Sequence, residues 1–222
     1  MSGAATPLVG MFGGTFDPVH NAHLRAALDI VEAGHLEQLR LIPCHVPPHR
    51  GDPEVTTRQR LAMLRLAVRG EPRLVVDERE LQRDGPSYTA DTLATLQSDF
   101  PHAHLCLLLG TDSFISLPTW ERWRELAEYA HVIVMTRPDY DALALPAALG
   151  QWLRGREVAE WRPLREHRAG YVLHQDVTAM AVSATAIRDR LRQGRSGRYL
   201  LPDAVWDYIR DNGLYGAGAD AG

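Results

Sequence analysis

Short apolar runs along this chain alternate with segments whose apolar residues recur every three or four positions. Leu8–Phe12 reads as a strand, and Leu24, Ala27, Leu28 and Val31 then mark one face of a helix closed by Gly34. Leu39–Pro43 predicts a second strand, followed by the proline-rich loop Val46-Pro47-Pro48-His49-Arg50. A helix capped by Thr57 places Leu61, Leu64 and Val68 inward. Leu74–Val76 reads as a third strand and Tyr88–Phe100 as a further helix. Leu105–Leu109 and Val132–Met135 are nearly continuous apolar runs, as in strands covered on both faces. Tyr171–His174 predicts a last strand, Ser183 caps a helix stopped by Gly194, and Pro202–Asn212 is a closing helix. Residues 142–161 are weakly patterned.

Alternating βα units predict an α/β fold with a doubly wound parallel sheet and a small helical C-terminal part at about 183–215. Residues 1–215 read as one domain and 216–222 as a disordered tail. Ligands in such sheets sit beyond the carboxyl ends of the strands. The loops at Gly13-Gly14, Pro47-Pro48, Gly110-Thr111-Asp112 and Thr136-Arg137-Pro138 should therefore line one crevice.

A hydrophobic content of 45%, a charged content of 23% and a net charge of −4 argue against a non-specific binder of nucleic acid or membrane surfaces. No apolar run approaches the ~20 residues needed to span a bilayer, and no basic-then-apolar signal pattern is present, so a cytoplasmic protein is expected. Cys44 and Cys106, the only cysteines, make neither a disulfide framework nor a zinc-thiolate cluster. All 24 basic residues are arginine, which excludes a Walker-type phosphate lysine and a lysine Schiff base. Phosphate chemistry here must use arginine, histidine, backbone amides and metal. No heptad or apolar surface stripe indicates an oligomeric state.

Two segments fit that chemistry. Gly13-Gly14-Thr15-Phe16-Asp17-Pro18-Val19-His20 and His23 follow the first strand and lead into a helix. Adjacent glycines admit an anion to the backbone, the helix N-terminus favours it, and histidines one turn apart can both donate to its oxygens. Read alone, the pair fits equally a packed and a solvated histidine, or part of a zinc site lacking its remaining ligands. In the second segment Ser183 and Thr185 open a helix and Arg188 follows within a turn. This is either a routine cap with a solvated arginine or a second phosphate clamp.

Together these residues resemble the nucleotidylyltransferase superfamily. Val46-Pro47-Pro48-His49-Arg50, Asp77-Glu78-Arg79-Glu80-Leu81, Pro86-Ser87-Tyr88-Thr89 and Leu117-Pro118-Thr119-Trp120 narrow the resemblance to the bacterial nicotinate-mononucleotide adenylyltransferases, from about Leu8 to Tyr215. The family motif reads His-x-Gly-His, and Ala22 stands here in place of its glycine. The resemblance implies a Rossmann-like fold and transfer of AMP from ATP to nicotinate mononucleotide, giving deamido-NAD and pyrophosphate. Phosphopantetheine adenylyltransferase, use of nicotinamide mononucleotide, and a nucleotide sensor without turnover are the competing readings.

Carried over to this sequence, the pattern implies that Gly13, Gly14, Thr15, Phe16, His20 and His23 line the ATP side. Ser183, Thr185 and Arg188 would hold the triphosphate from across it, with His20, His23 and Arg188 as the catalytic set. Mg²⁺ would be bound mainly through the ATP phosphates, with no dedicated protein metal site. On the mononucleotide side stand His45, Tyr88, Thr89, Asp112, Trp120 and Arg137. The helix N-terminus at Tyr88-Thr89 favours a carboxylate over a neutral amide, and Trp120 can stack on a pyridine ring. His49 and Arg50 share the His45 loop. Asp17 is read as a turn-shaping residue, and no role is read for Glu78, Arg79 and Glu80.

Overall fold

A computed structural model describes residues 6–45, 53–83, 85–136 and 145–217. Seven parallel strands form one sheet: β1 (Leu8–Gly14), β2 (Gln38–Pro43), β3 (Leu74–Val76), β4 (His104–Gly110), β5 (Ala130–Thr136), β6 (Glu157–Val158) and β7 (Val172–Asp176). Their order is β3-β2-β1-β4-β5-β7-β6. The chain winds outward from β1 to β3, then returns to build β4 and β5 on the other side, so the switch point lies between β1 and β4. That is where a doubly wound sheet opens a crevice.

Alternation along β1 separates two cores. Leu8 and Phe12 join the cluster beneath α1 (Asn21–Ala33), α2 (Thr57–Ala67), α8 (Ala184–Arg192) and α9 (Asp203–Asp211). Val9 and Met11 join the opposite cluster beneath α3 (Thr89–Asp99), α4 (Thr111–Ile115), α5 (Leu126–Tyr129) and α6 (Ala147–Leu153). The predicted strands and long helices are thus present. The short helices α4 to α6, with α7 (Arg162–Glu166) and the two-residue β6, are additions. Elements of this length hold too few residues to display a period.

Two expectations need correction. The cap of α2 is Thr56, whose hydroxyl accepts from the Gln59 amide (3.3 Å) while the Gln59 side chain accepts from the Thr56 amide (2.9 Å). The face it buries carries Arg60, Met63 and Leu64, whereas Leu61 and Val68 are half-buried. At the C-terminus, the described residues include Gly216 and Ala217, and Ala217 is buried and donates its amide to the Leu214 carbonyl (2.9 Å). The rest of the expected tail lies outside the described residues.

His131 stands in β5 far from the strand ends that line the crevice. Its Nδ1 accepts from the Tyr171 amide (3.2 Å), so its proton sits on Nε2, which donates to the His167 carbonyl (2.8 Å). Burial pushes this imidazole down to about 4, against about 6.5 in an unfolded chain. The unfolded state therefore binds the extra proton between these values, and stability is lost as pH falls from about 6.5 to about 4, by up to about 3 kcal/mol. Urea unfolding at pH 7.5 and pH 5 should show this loss, and His131→Gln should lessen the slope by about one proton. An identical slope in both proteins would remove His131 as its source.

Candidate active site

β1 delivers Gly13 and Gly14 to the switch point, where Gly14 is paired with Pro43 of β2 and its carbonyl accepts from the Cys44 amide (3.0 Å). A Cβ on Gly14 would lie 3.1 Å from the Phe16 ring, so packing within the loop accounts for that glycine. Gly13 differs: it is exposed, and among the described residues a Cβ there would touch only the Met11 methyl at 3.9 Å. Among the described residues nothing demands its glycine, which fits a backbone approached by a ligand. Phe16 turns the chain at a φ of 50° and tucks its ring into the core.

The turn delivers His20 to the N-cap of α1, with His23 one turn on. Their rings stack with centroids 3.6 Å apart, and the His23 ring also meets Phe16 edge-on at 5.2 Å. The His20 backbone amide donates to His23 Nδ1 (3.3 Å), which leaves the proton of a neutral His23 ring on Nε2. Asn21 fixes the helix start by donating its amide to Leu200 (3.0 Å) and its side chain to Tyr199 (2.9 Å).

The second predicted segment arrives at this same turn. Ser183 caps α8 by accepting from the Ala186 amide (3.2 Å), and Thr185 is exposed on the first turn. Arg188 donates from Nη1 to the Asp17 carbonyl (2.7 Å) and from Nε to Glu54 Oε1 (2.6 Å). Its Nη2 makes no hydrogen bond to a described residue. Arg192 also pairs with Glu54, and the two arginines hold that carboxyl below the usual range against the opposing effect of burial. Asp17 itself is buried, accepting from the Glu54 amide (2.8 Å) and the Tyr215 hydroxyl (2.6 Å). Burial and the Asp17 carboxylate push the Tyr215 phenol up, so it remains a donor. Asp17 thus does more than shape a turn: it joins the loop after β1 to the C-terminal segment.

On the other side, the His45 amide donates to Ser87 Oγ (3.3 Å), drawing the end of β2 against the start of α3. Tyr88 is the N-cap of α3 and Thr89 its first residue. Trp120 is half-buried against the second core. Arg122, two residues on, pairs with Asp91, which holds the Trp120 turn beside the first turn of α3. Asp112 is exposed on α4, directly beyond the end of β4. Arg137, His49 and Arg50 lie outside the described residues.

Glu80 acquires a structural partner set that the sequence does not reveal. Its buried carboxyl accepts from Thr92 Oγ1 (2.7 Å) and bonds Ser87, and burial raises its pKa. It stands behind the start of α3. Asp77 and Arg79 form an ion pair (2.8 Å) that Arg40 joins through Asp77 and Asp99 through Arg79. Sequence reasoning also missed Arg60, Glu54 and Tyr215. Only Arg60 left a signal, as a charge between the apolar residues of an amphipathic helix.

Strand ends, paired histidines and an anchored arginine gather at this turn, and the sequence pattern of the cytidylyltransferase-like family matches residues 11–190. A protein of Halorhodospira halophila named probable nicotinate-nucleotide adenylyltransferase is 50% identical over 208 residues, covering 94% of this chain and 95% of that one. Its namesake in Aeromonas salmonicida is 46% identical over 209 residues, covering 94% and 97%. The chain belongs to the nicotinate-nucleotide adenylyltransferase family. The fold agrees with that of Plasmodium falciparum nicotinic acid mononucleotide adenylyltransferase complexed with NaAD, at a TM-score of 0.73 and 14% identity over 96% of this chain and all of that one.

Proposed function

We propose that the crevice between β1 and β4 joins ATP to nicotinate mononucleotide, forming deamido-NAD and pyrophosphate, with residues 1–215 acting as one unit in the cytoplasm. The observation that carries the proposal is the meeting of both phosphate-binding segments at one turn: His20 and His23 follow Asp17 in the chain, and Arg188 is bonded to its carbonyl (2.7 Å).

A phosphomonoester is largely dianionic at neutral pH, since its second pKa is about 6. The attacking oxygen therefore needs no base, and the remaining task is to align two anions and stabilise the charge that develops on the phosphate oxygens. In this reading His20 and His23 donate to the α- and β-phosphates beside the open backbone of Gly13. Thr15 and Phe16 hold that loop, while Ser183, Thr185 and Arg188 grip the triphosphate from α8. Among the described residues no three His, Cys, Asp or Glu side chains group as a metal site. Mg²⁺ carried by the nucleotide would add positive charge at the phosphates and take its ligands from them and from water.

The start of α3 at Tyr88-Thr89 offers backbone N–H groups to the nicotinate carboxylate, and Trp120 beside it offers a ring to stack on the pyridine. His45, Asp112 and Arg137 complete the proposed mononucleotide side. Comparing kcat/KM for nicotinate and nicotinamide mononucleotides tests this half of the reading. A clear preference for the acid is expected, and a ratio near one would contradict it. Trp120→Ala should weaken the mononucleotide and spare ATP; an effect confined to ATP would overturn the stacking role.

A further inference from the structure

Arg60 lies on the buried face of α2 beside Met63 and Leu64, and its relative exposure is 0%. Its Nη1 donates to the Thr15 carbonyl (2.7 Å). Its Nη2 donates to the Cys44 carbonyl (2.9 Å), with longer bonds to the His45 carbonyl (3.4 Å) and Thr57 Oγ1 (3.2 Å). Nε is buried and has no partner among the described residues. Every one of these acceptors is neutral, and no described carboxylate stands within ion-pair distance.

A guanidinium keeps its charge in a protein interior, and a buried cation held only by neutral acceptors is an expensive feature for a fold. Leucine at this position would suit the amphipathic helix better. The carbonyls that Arg60 gathers explain what the arginine adds. Thr15 extends from β1 on the ATP side, whereas Cys44 and His45 extend from β2 on the mononucleotide side. The planar fork spans both loops, which a lysine ammonium cannot do with the same geometry.

We propose that Arg60 is a positioning residue for both substrates: it fixes the spacing between the two loops and hence the in-line approach of one nucleotide's phosphate to the other's α-phosphorus. Its fixed charge beneath the crevice also favours the two anions that meet there. This rests on the adenylyl-transfer reading.

The test compares wild type, Arg60→Met and Arg60→Lys in steady-state pyrophosphate release, titrating ATP and nicotinate mononucleotide in turn at 25 °C, with thermal midpoints recorded. In both variants kcat should fall roughly 10²-fold, the scale set by misplacing reacting groups by about 1 Å. Both KM values should rise as well. Arg60→Lys preserves the cation and so carries the test if Arg60→Met fails to fold. A role confined to stability would lower the midpoint and leave kcat per folded molecule unchanged. Unchanged kinetics in a folded variant, or an effect on one substrate alone, overturns the inference while the functional reading stands. An inert wild type would instead sink the reading on which the inference rests.

Discussion

Replacing His20 by alanine is expected to lower turnover roughly 10²–10³-fold, the usual effect of removing one donor aimed at a developing oxyanion. The KM for ATP should change little, because the donor acts most strongly on charge that appears during transfer. The fold should survive: Asn21 still anchors the start of α1 through its amide and side chain to Leu200 and Tyr199. His23 would lose the ring stacked 3.6 Å away but keep its edge contact with Phe16. Single-turnover rates with both substrates saturating separate this loss from slow product release. A rate equal to wild type would remove His20 from the proposed chemistry.

Arg188→Ala should act differently, raising the KM for ATP and lowering kcat/KM for ATP roughly 10–10²-fold, in line with hydrogen bonds to charged groups. The physical reason includes what remains behind. Glu54 would keep Arg192 but lose Arg188, leaving a less compensated carboxylate near an incoming triphosphate. Glu54→Gln in the Arg188→Ala background should therefore recover part of the ATP affinity. Nicotinate mononucleotide KM should stay near wild type throughout. A defect shared equally by both substrates would contradict the assignment of Arg188 to the triphosphate.

Much of this architecture is legible along the chain. Leu8–Phe12 and Leu105–Leu109 are too apolar to be half-exposed strands, and each ends in glycine at a point where the sheet opens. The loop after β1 and the Ser183 helix read as separate candidate phosphate segments in the sequence. Their meeting at Asp17 is a tertiary fact: the Arg188 guanidinium that bonds the Asp17 carbonyl comes from 171 residues away. Arg60 escaped because periodicity sorts residues by hydrophobicity, and a charge on the buried stripe simply shifted the reading toward Leu61. Glu80 has no role legible in the sequence, since nothing local reveals that Thr92 and Ser87 close over it. His131 is hidden similarly, its partners lying on the chain between β5 and β7.

Attack of a mononucleotide phosphate on the α-phosphorus of ATP, as proposed for this crevice, leaves a direct isotopic signature. ATP labelled at the α-phosphorus, mixed with nicotinate mononucleotide, Mg²⁺ and the protein, tests it directly. All transferred label should appear in the dinucleotide, unlabelled pyrophosphate should form in equal amount, and omitting the mononucleotide should stop both. Label recovered as AMP without a mononucleotide requirement, or tight ATP binding with no transfer, would contradict the account.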